Sequence, residues 1–180
     1  MTEIFGVPIQ ALMGQLMLGL VNGSFYAILS LGLAVIFGML NIVNFAHGAL
    51  YMVGAFFAWM LLNYAGINYW MALVIAPLGV ALIGVLIEKT MLRWLHQLDH
   101  LYGLLLTFGL ALILEGIFRE FYGSSGLPYE LPDMFRGVFD LGFMMLPKYR
   151  VWVIAVSIVL CFFTWYVIEK TKLGAYLRAG

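Results

Sequence analysis

The sequence predicts an all-α protein, a polytopic transmembrane helix bundle of about five spans, and three observations carry that reading. The 180 residues are 64% hydrophobic and 10% charged, with a mean hydropathy of +1.03; a soluble domain is about a quarter charged and about half apolar. Between Ile4 and Ile87 there is no Asp, Glu, Lys or Arg. The later apolar runs Tyr69 to Ile87, Leu101 to Tyr122 and Val151 to Ile168 match the length of ~20 residues that crosses a bilayer as a helix.

The first ten residues, MTEIFGVPIQ, contain an acid and no Lys or Arg. A cleaved signal requires a positive N-terminal region, so the first helix is read as a span. Ile9 to Leu62 is too long for one crossing and holds two. Two arrangements fit. Either span one is long and NIVNFAHG is a cytoplasmic turn, or span one ends near Ala27 and span two is broken at NFAHG. The second is favoured, because a cytoplasmic turn is expected to carry Lys or Arg and this one has neither. On span one, Gly19, Gly23 and Ala27 recur every four residues, a small-residue stripe suited to close helix packing.

Asn41, Asn44 and His47 place polar groups in an otherwise apolar region. Unsatisfied polar groups in hydrocarbon cost several kcal/mol, so such residues face a bundle interior or a watery path. Continued as a helix, His47, Tyr51, Gly54 and Ala58 share one face. Pro77 kinks or locally breaks the third span. Lys89 and Arg93 follow that span, and Lys170, Lys172 and Arg178 follow the fifth, so both ends read as cytoplasmic and the N-terminus as external. Residues 123–150 then form an external loop, rich in turn formers and suited to a short surface element. Tyr64, Tyr69 and Trp70 mark the outer interface and Trp94 the inner one.

The composition excludes some chemistry. Nine basic and nine acidic residues leave no net charge, so no nucleic-acid partner is indicated. The single cysteine, Cys161, cannot form an internal disulfide. His47 could act as a proton relay, a metal or haem ligand, or a hydrogen-bonded group on a path wall; the last is preferred, since no second ligand lies at that depth. His96 and His100, four apart beside Asp99, are a possible metal pair, but in the most polar inner loop they read as a solvated face. Glu115 and Arg119 are four apart, in the better order for a helical ion pair. An intramembrane hydrolase would need Ser24 or Ser30 beside a base, yet neither serine sits in a GxSxG-like turn and Glu115 has no second carboxylate. The expectation is no catalytic site, metal or cofactor.

The run GLVNGSFYAILSLGLAVIFGMLNIVNFAHGALYMVGAFFAW resembles the N-terminal half of the permease subunits of branched-chain amino acid ABC importers. The most specific part is Asn44-Phe45-Ala46-His47-Gly48, followed by Tyr51-Met52 and Gly54; KTKLGAYLRAG resembles the start of the family's cytoplasmic coupling segment. The resemblance implies a bacterial inner-membrane permease working with a second related permease, two ATP-binding subunits and an external solute-binding protein. The cargo would be Leu, Ile, Val or a related solute, urea or short amides being the alternative. It further implies that Asn41, Asn44, Phe45, His47, Gly48 and Tyr51 line or brace the path, that Gly54 and Ala58 join Gly19, Gly23 and Ala27 in packing, and that Lys172, Gly174 and Arg178, within residues 169–180, begin the ATPase coupling segment. Residues 1–180 would be one transmembrane domain, truncated relative to the family, in which Glu115 departs from the usual uncharged residue.

Overall fold

A computed structural model describes residues 3–4, 7–40, 44–95, 100–142, 144–172 and 174. Asn41, His96, Asp99 and Arg178 lie outside them. The order is β1 (Glu3–Ile4), β2 (Val7–Pro8), α1 (Ile9–Leu40), α2 (His47–Ala65), α3 (Tyr69–Ile87), a π-helical turn (Glu88–Leu92), α4 (Arg93–Leu95), α5 (His100–Tyr122), a 3-10 turn (Asp133–Phe135), β3 (Val138–Asp140), β4 (Met145–Pro147) and α6 (Lys148–Lys170). Among the described residues, five helical stretches are long and apolar enough to cross a membrane: Ile9–Phe37, His47–Ala65, Tyr69–Leu95, Leu101–Tyr122 and Lys148–Lys170. The chain is an all-α polytopic membrane protein. α3 passes through Pro77 without interruption.

One expectation is corrected. The first helix does not end near Ala27; α1 continues to Leu40, and α2 begins at His47. The physical reason is local. No proline interrupts residues 28–40, and Ser30, the hydroxyl residue among them, donates to the carbonyl of Ala27 at 3.2 Å, so its polar group is satisfied without opening the helix. The 32 residues of α1 extend roughly 48 Å at helical rise.

The chain divides into two compact units, residues 1–35 with 131–180, and residues 36–130. In the first, Val21 and Ser24 on α1 and Val153 and Ser157 on α6 are buried. Ser157 Oγ donates to the carbonyl of Ser24 at 3.1 Å, and Ser24 Oγ to that of Leu20 at 2.7 Å. β3 and β4 form an antiparallel hairpin in which Phe139 faces Leu146. Gly142, at φ 78°, belongs to its turn and donates its N–H to Asp140 Oδ1 at 2.8 Å.

In the second unit α2 packs on α3 and α5. The α2–α3 corner is closed by Gly66, left-handed at φ 63°, where other residues are disfavoured, and by Asn68, whose side chain accepts from the N–H of Met71. The covered helix positions are small, Ala46, Ala49, Val53, Ala72 and Ala76, as expected where helices are held by close packing and not by a greasy core. Phe57 rests on Gly79 so closely that a Cβ there would come within 2.3 Å of the ring. Phe56, Trp59, Tyr64, Phe118 and Tyr122 cluster where α2 and α5 end, and Tyr69 meets Trp70 and Tyr129 nearby. Burial, then the neighbouring Tyr69, pushes the Tyr129 phenol above its ordinary range. Aromatic residues gathered at one end of a helix group are the pattern of a membrane–water interface.

Candidate functional site

The candidate site is the polar break before α2. Asn44 acts on the new helix twice: its Oδ1 accepts from the N–H of Ala46 at 2.9 Å, and its carbonyl accepts from the N–H of His47 at 3.3 Å. The first N–H groups of a helix have no partner inside it, and a short polar side chain just ahead supplies one of the missing acceptors locally. Leu50 N–H then bonds to the Ala46 carbonyl at 2.8 Å, and the regular ladder is under way.

The remaining donor of the turn is met from another helix. Thr107 on α5 is 1% exposed; its Oγ1 donates to the carbonyl of Leu104 at 3.1 Å and accepts from the Phe45 N–H at 3.2 Å. The Phe45 ring meets Phe108 edge-on at 6.3 Å. Ala46 is 1% exposed. A buried hydroxyl thus fixes where the backbone turns. Sequence reasoning misses Thr107; the signal is present only as a lone hydroxyl in the run Leu104-Leu105-Leu106-Thr107-Phe108.

Helix pairing sets the level of this turn within its unit. α2 and α3 are antiparallel, with Val80 against Gly54. Seven residues back from Gly54 is His47, and seven on from Val80 is Ile87, so His47 is level with the end of α3, one residue before Glu88. Beyond it come Lys89 and Arg93 in the π-helical turn and α4. α2 and α5 run parallel, because Phe45 meets Phe108 and Phe56 meets Phe118. The polar break and the charged end of α3 therefore share one end of this unit, and the aromatic cluster occupies the other.

The predicted residues are distributed as follows. Asn44 and His47 are half-buried and Phe45, Gly48 and Tyr51 exposed. Ala49 and Val53 hold the covered side of α2, and Tyr51 is not brought to the turn. A Cβ at Gly54 would lie 3.4 Å from Val80, and Ala58 is half-buried. Gly19 and Gly23 are exposed, and a Cβ at either meets no atom within 4 Å; Ala27 is half-buried. Lys172 is exposed and Gly174 buried just past α6. Glu115 and Arg119 are both exposed on α5, with no ion pair joining them among the described residues. Among the described residues, no group of three His, Cys, Asp or Glu side chains comes together to hold a metal.

Comparison with known proteins agrees with this architecture. Residues 15–180 match the family described as branched-chain amino acid transport system / permease component. The high-affinity branched-chain amino acid transport system permease protein BraD of Pseudomonas aeruginosa is 26% identical, with 92% of this chain and 57% of that protein covered. The corresponding LivH proteins of Salmonella typhimurium and Escherichia coli K12 are 28% identical, over 71% of this chain and 44% of theirs. The chain spans about half the length of these relatives. No solved structure matches it. With a family match across nearly its whole length, five membrane-length helices and a polar break braced between them, the chain belongs to the branched-chain amino acid transport system permease family.

Proposed function

We propose that the chain forms the N-terminal part of a permease subunit of an ATP-driven importer for leucine, isoleucine, valine or related amino acids. The observation that carries this reading is the family match over residues 15–180. The permease would form half of the translocation path, beside a second related permease, with two ATP-binding subunits on the inside and a solute-binding protein outside. ATP is used by the partner subunits, and this subunit has no catalytic site of its own.

The placement we favour puts the N-terminus outside and residue 180 on the cytoplasmic side of the bacterial inner membrane. Lys89 and Arg93 after the third span, and Lys170 and Lys172 after the fifth, support it through the excess of basic residues in cytoplasmic segments. The level of His47 with the end of α3 beside Glu88 supports a position of the Asn44–His47 turn at the inner edge of the hydrocarbon. There Asn44 and His47 brace the inner mouth of the path, and Lys172, Gly174 and Arg178 begin the segment that meets the ATPase.

Uptake of labelled leucine in cells lacking their own branched-chain permeases tests this, with the full-length gene expressed beside its partner subunits. Leucine uptake lost in His47→Leu while membrane insertion is kept is the expected result. Normal uptake by that variant would remove His47 from the path, and uptake of urea instead of leucine would move the permease to the amide-carrying branch. A cysteine at Glu130 should be labelled from outside and one at Lys172 only after permeabilisation; the reverse pattern overturns the orientation.

A further inference from the structure

The segment joining α5 to α6 changes character partway. Over residues 123–130 the exposed positions are Gly, Ser, Pro and Glu, with Leu127 and Tyr129 half-buried. From the 3-10 turn onward large apolar side chains join the exposed positions, Met134 at 63%, Val138 at 51%, Phe139 at 48%, Leu141 at 42% and Met145 at 68%, interspersed with Asp133, Arg136 and Asp140. Apolar patches outside a hydrophobic core mark sites for protein or for membrane.

We propose that the 3-10 turn and the β3–β4 hairpin are an interfacial foot, seated in the headgroup–acyl boundary of the bilayer at the N-terminal end of α6, with lipid as the partner. The level of the segment argues for it. Phe135 is buried and stacks on Trp152 at 5.2 Å, and Trp152 lies four residues into α6, past Lys148. Lys148 donates its N–H to the carbonyl of Gly137 at 3.1 Å and places its ammonium 5.7 Å from the Phe139 ring centroid. Leu146, paired with Phe139, is buried. The segment thus folds down beside the first turns of α6 and does not stand off from them. On α6 the exposed apolar residues begin at Val151, three residues after Lys148.

Charge and backbone fix the depth. Asp133 is paired with Arg136 at 3.0 Å, both side chains well exposed, and Asp140 caps the hairpin turn. A two-stranded hairpin has free edges, and unpaired backbone groups exclude it from hydrocarbon. An element that mixes exposed apolar side chains with charges settles instead at the interface, the apolar side chains toward the acyl chains and Asp133, Arg136 and Asp140 toward water.

The test uses the full-length permease subunit with its cysteines replaced, Cys161→Ala among them, reconstituted in phosphatidylcholine–phosphatidylglycerol vesicles with and without its partner subunits. Nitroxide labels are introduced singly by Met134→Cys, Val138→Cys and Met145→Cys, with Phe162→Cys as a lipid-facing reference and Ser125→Cys as an aqueous one. Relaxation by oxygen several-fold stronger than by a water-soluble nickel complex at all three sites is the expected result. Preferential relaxation by nickel, as at position 125, overturns the proposal, and so does protection from both reagents, which would mean a protein contact. The readout is independent of transport, so it stands or falls separately from the proposed function.

Discussion

The two compact units hold their helices together with the same kind of group, a buried hydroxyl, yet use it differently. In one, Ser157 bonds across to the carbonyl of Ser24, a residue inside an unbroken helix. In the other, Thr107 accepts from the N–H of Phe45, in a turn where no helical ladder is available to that donor. The first bond adds to a backbone already satisfied; the second replaces a missing partner. The difference teaches that a hydroxyl in a membrane helix matters in proportion to the unmet need of what it touches, and not to its own burial, since both residues are buried.

Thermal unfolding of single variants in detergent separates the two hydroxyls. The largest effect should come from packing alone: Gly79→Ala brings a methyl within 2.3 Å of Phe57 and should cost about 1–3 kcal/mol as overpacking. Most of that loss should be recovered in the Gly79→Ala, Phe57→Ala double variant relative to Phe57→Ala alone; no recovery would place the strain elsewhere. Next comes Thr107→Val, which keeps shape but leaves the Phe45 N–H without its acceptor, at about 1–2 kcal/mol. Thr107→Ser should stay near the parent. Smallest is Ser157→Ala, expected near the ~0.6 kcal/mol average of interhelical side-chain hydrogen bonds. If Ser157→Ala destabilised as much as Thr107→Val, the distinction between the two hydroxyls would fail.

How much of this is legible in the residues depends on the range of the interactions. Tyr69–Ile87 is visible from its uninterrupted apolar run, and α3 has those limits. The polar turn announces itself in Asn44 and His47 because nothing else polar surrounds them. The end of the first helix is not legible: the lack of Lys or Arg in NIVNFAHG favours an early end, whereas α1 runs on to Leu40 with Ser30 satisfied locally. Thr107 is a single hydroxyl in a leucine-rich run; only pairing with a turn 62 residues away gives it a task. The β3–β4 strands are three residues each, too short for alternation to show, and their pairing rests on the turn at Gly142. The Gly19–Gly23–Ala27 stripe is plain in the sequence; among the described residues the buried positions of α1 are Val21 and Ser24.

The length of α1 has a consequence for the lipid. At roughly 48 Å it exceeds the ~30 Å hydrocarbon layer, whereas α2, with 19 residues and about 28 Å, only just crosses it. Hydrophobic mismatch is relieved by tilting or by deforming the bilayer, at fractions of a kcal/mol per ångström. A thicker membrane is therefore met by α1 standing more upright, at little cost, and by α2 through local thinning around it. Acyl-chain length becomes a lever that acts on the helix carrying the polar turn before it strains its longer neighbour in sequence.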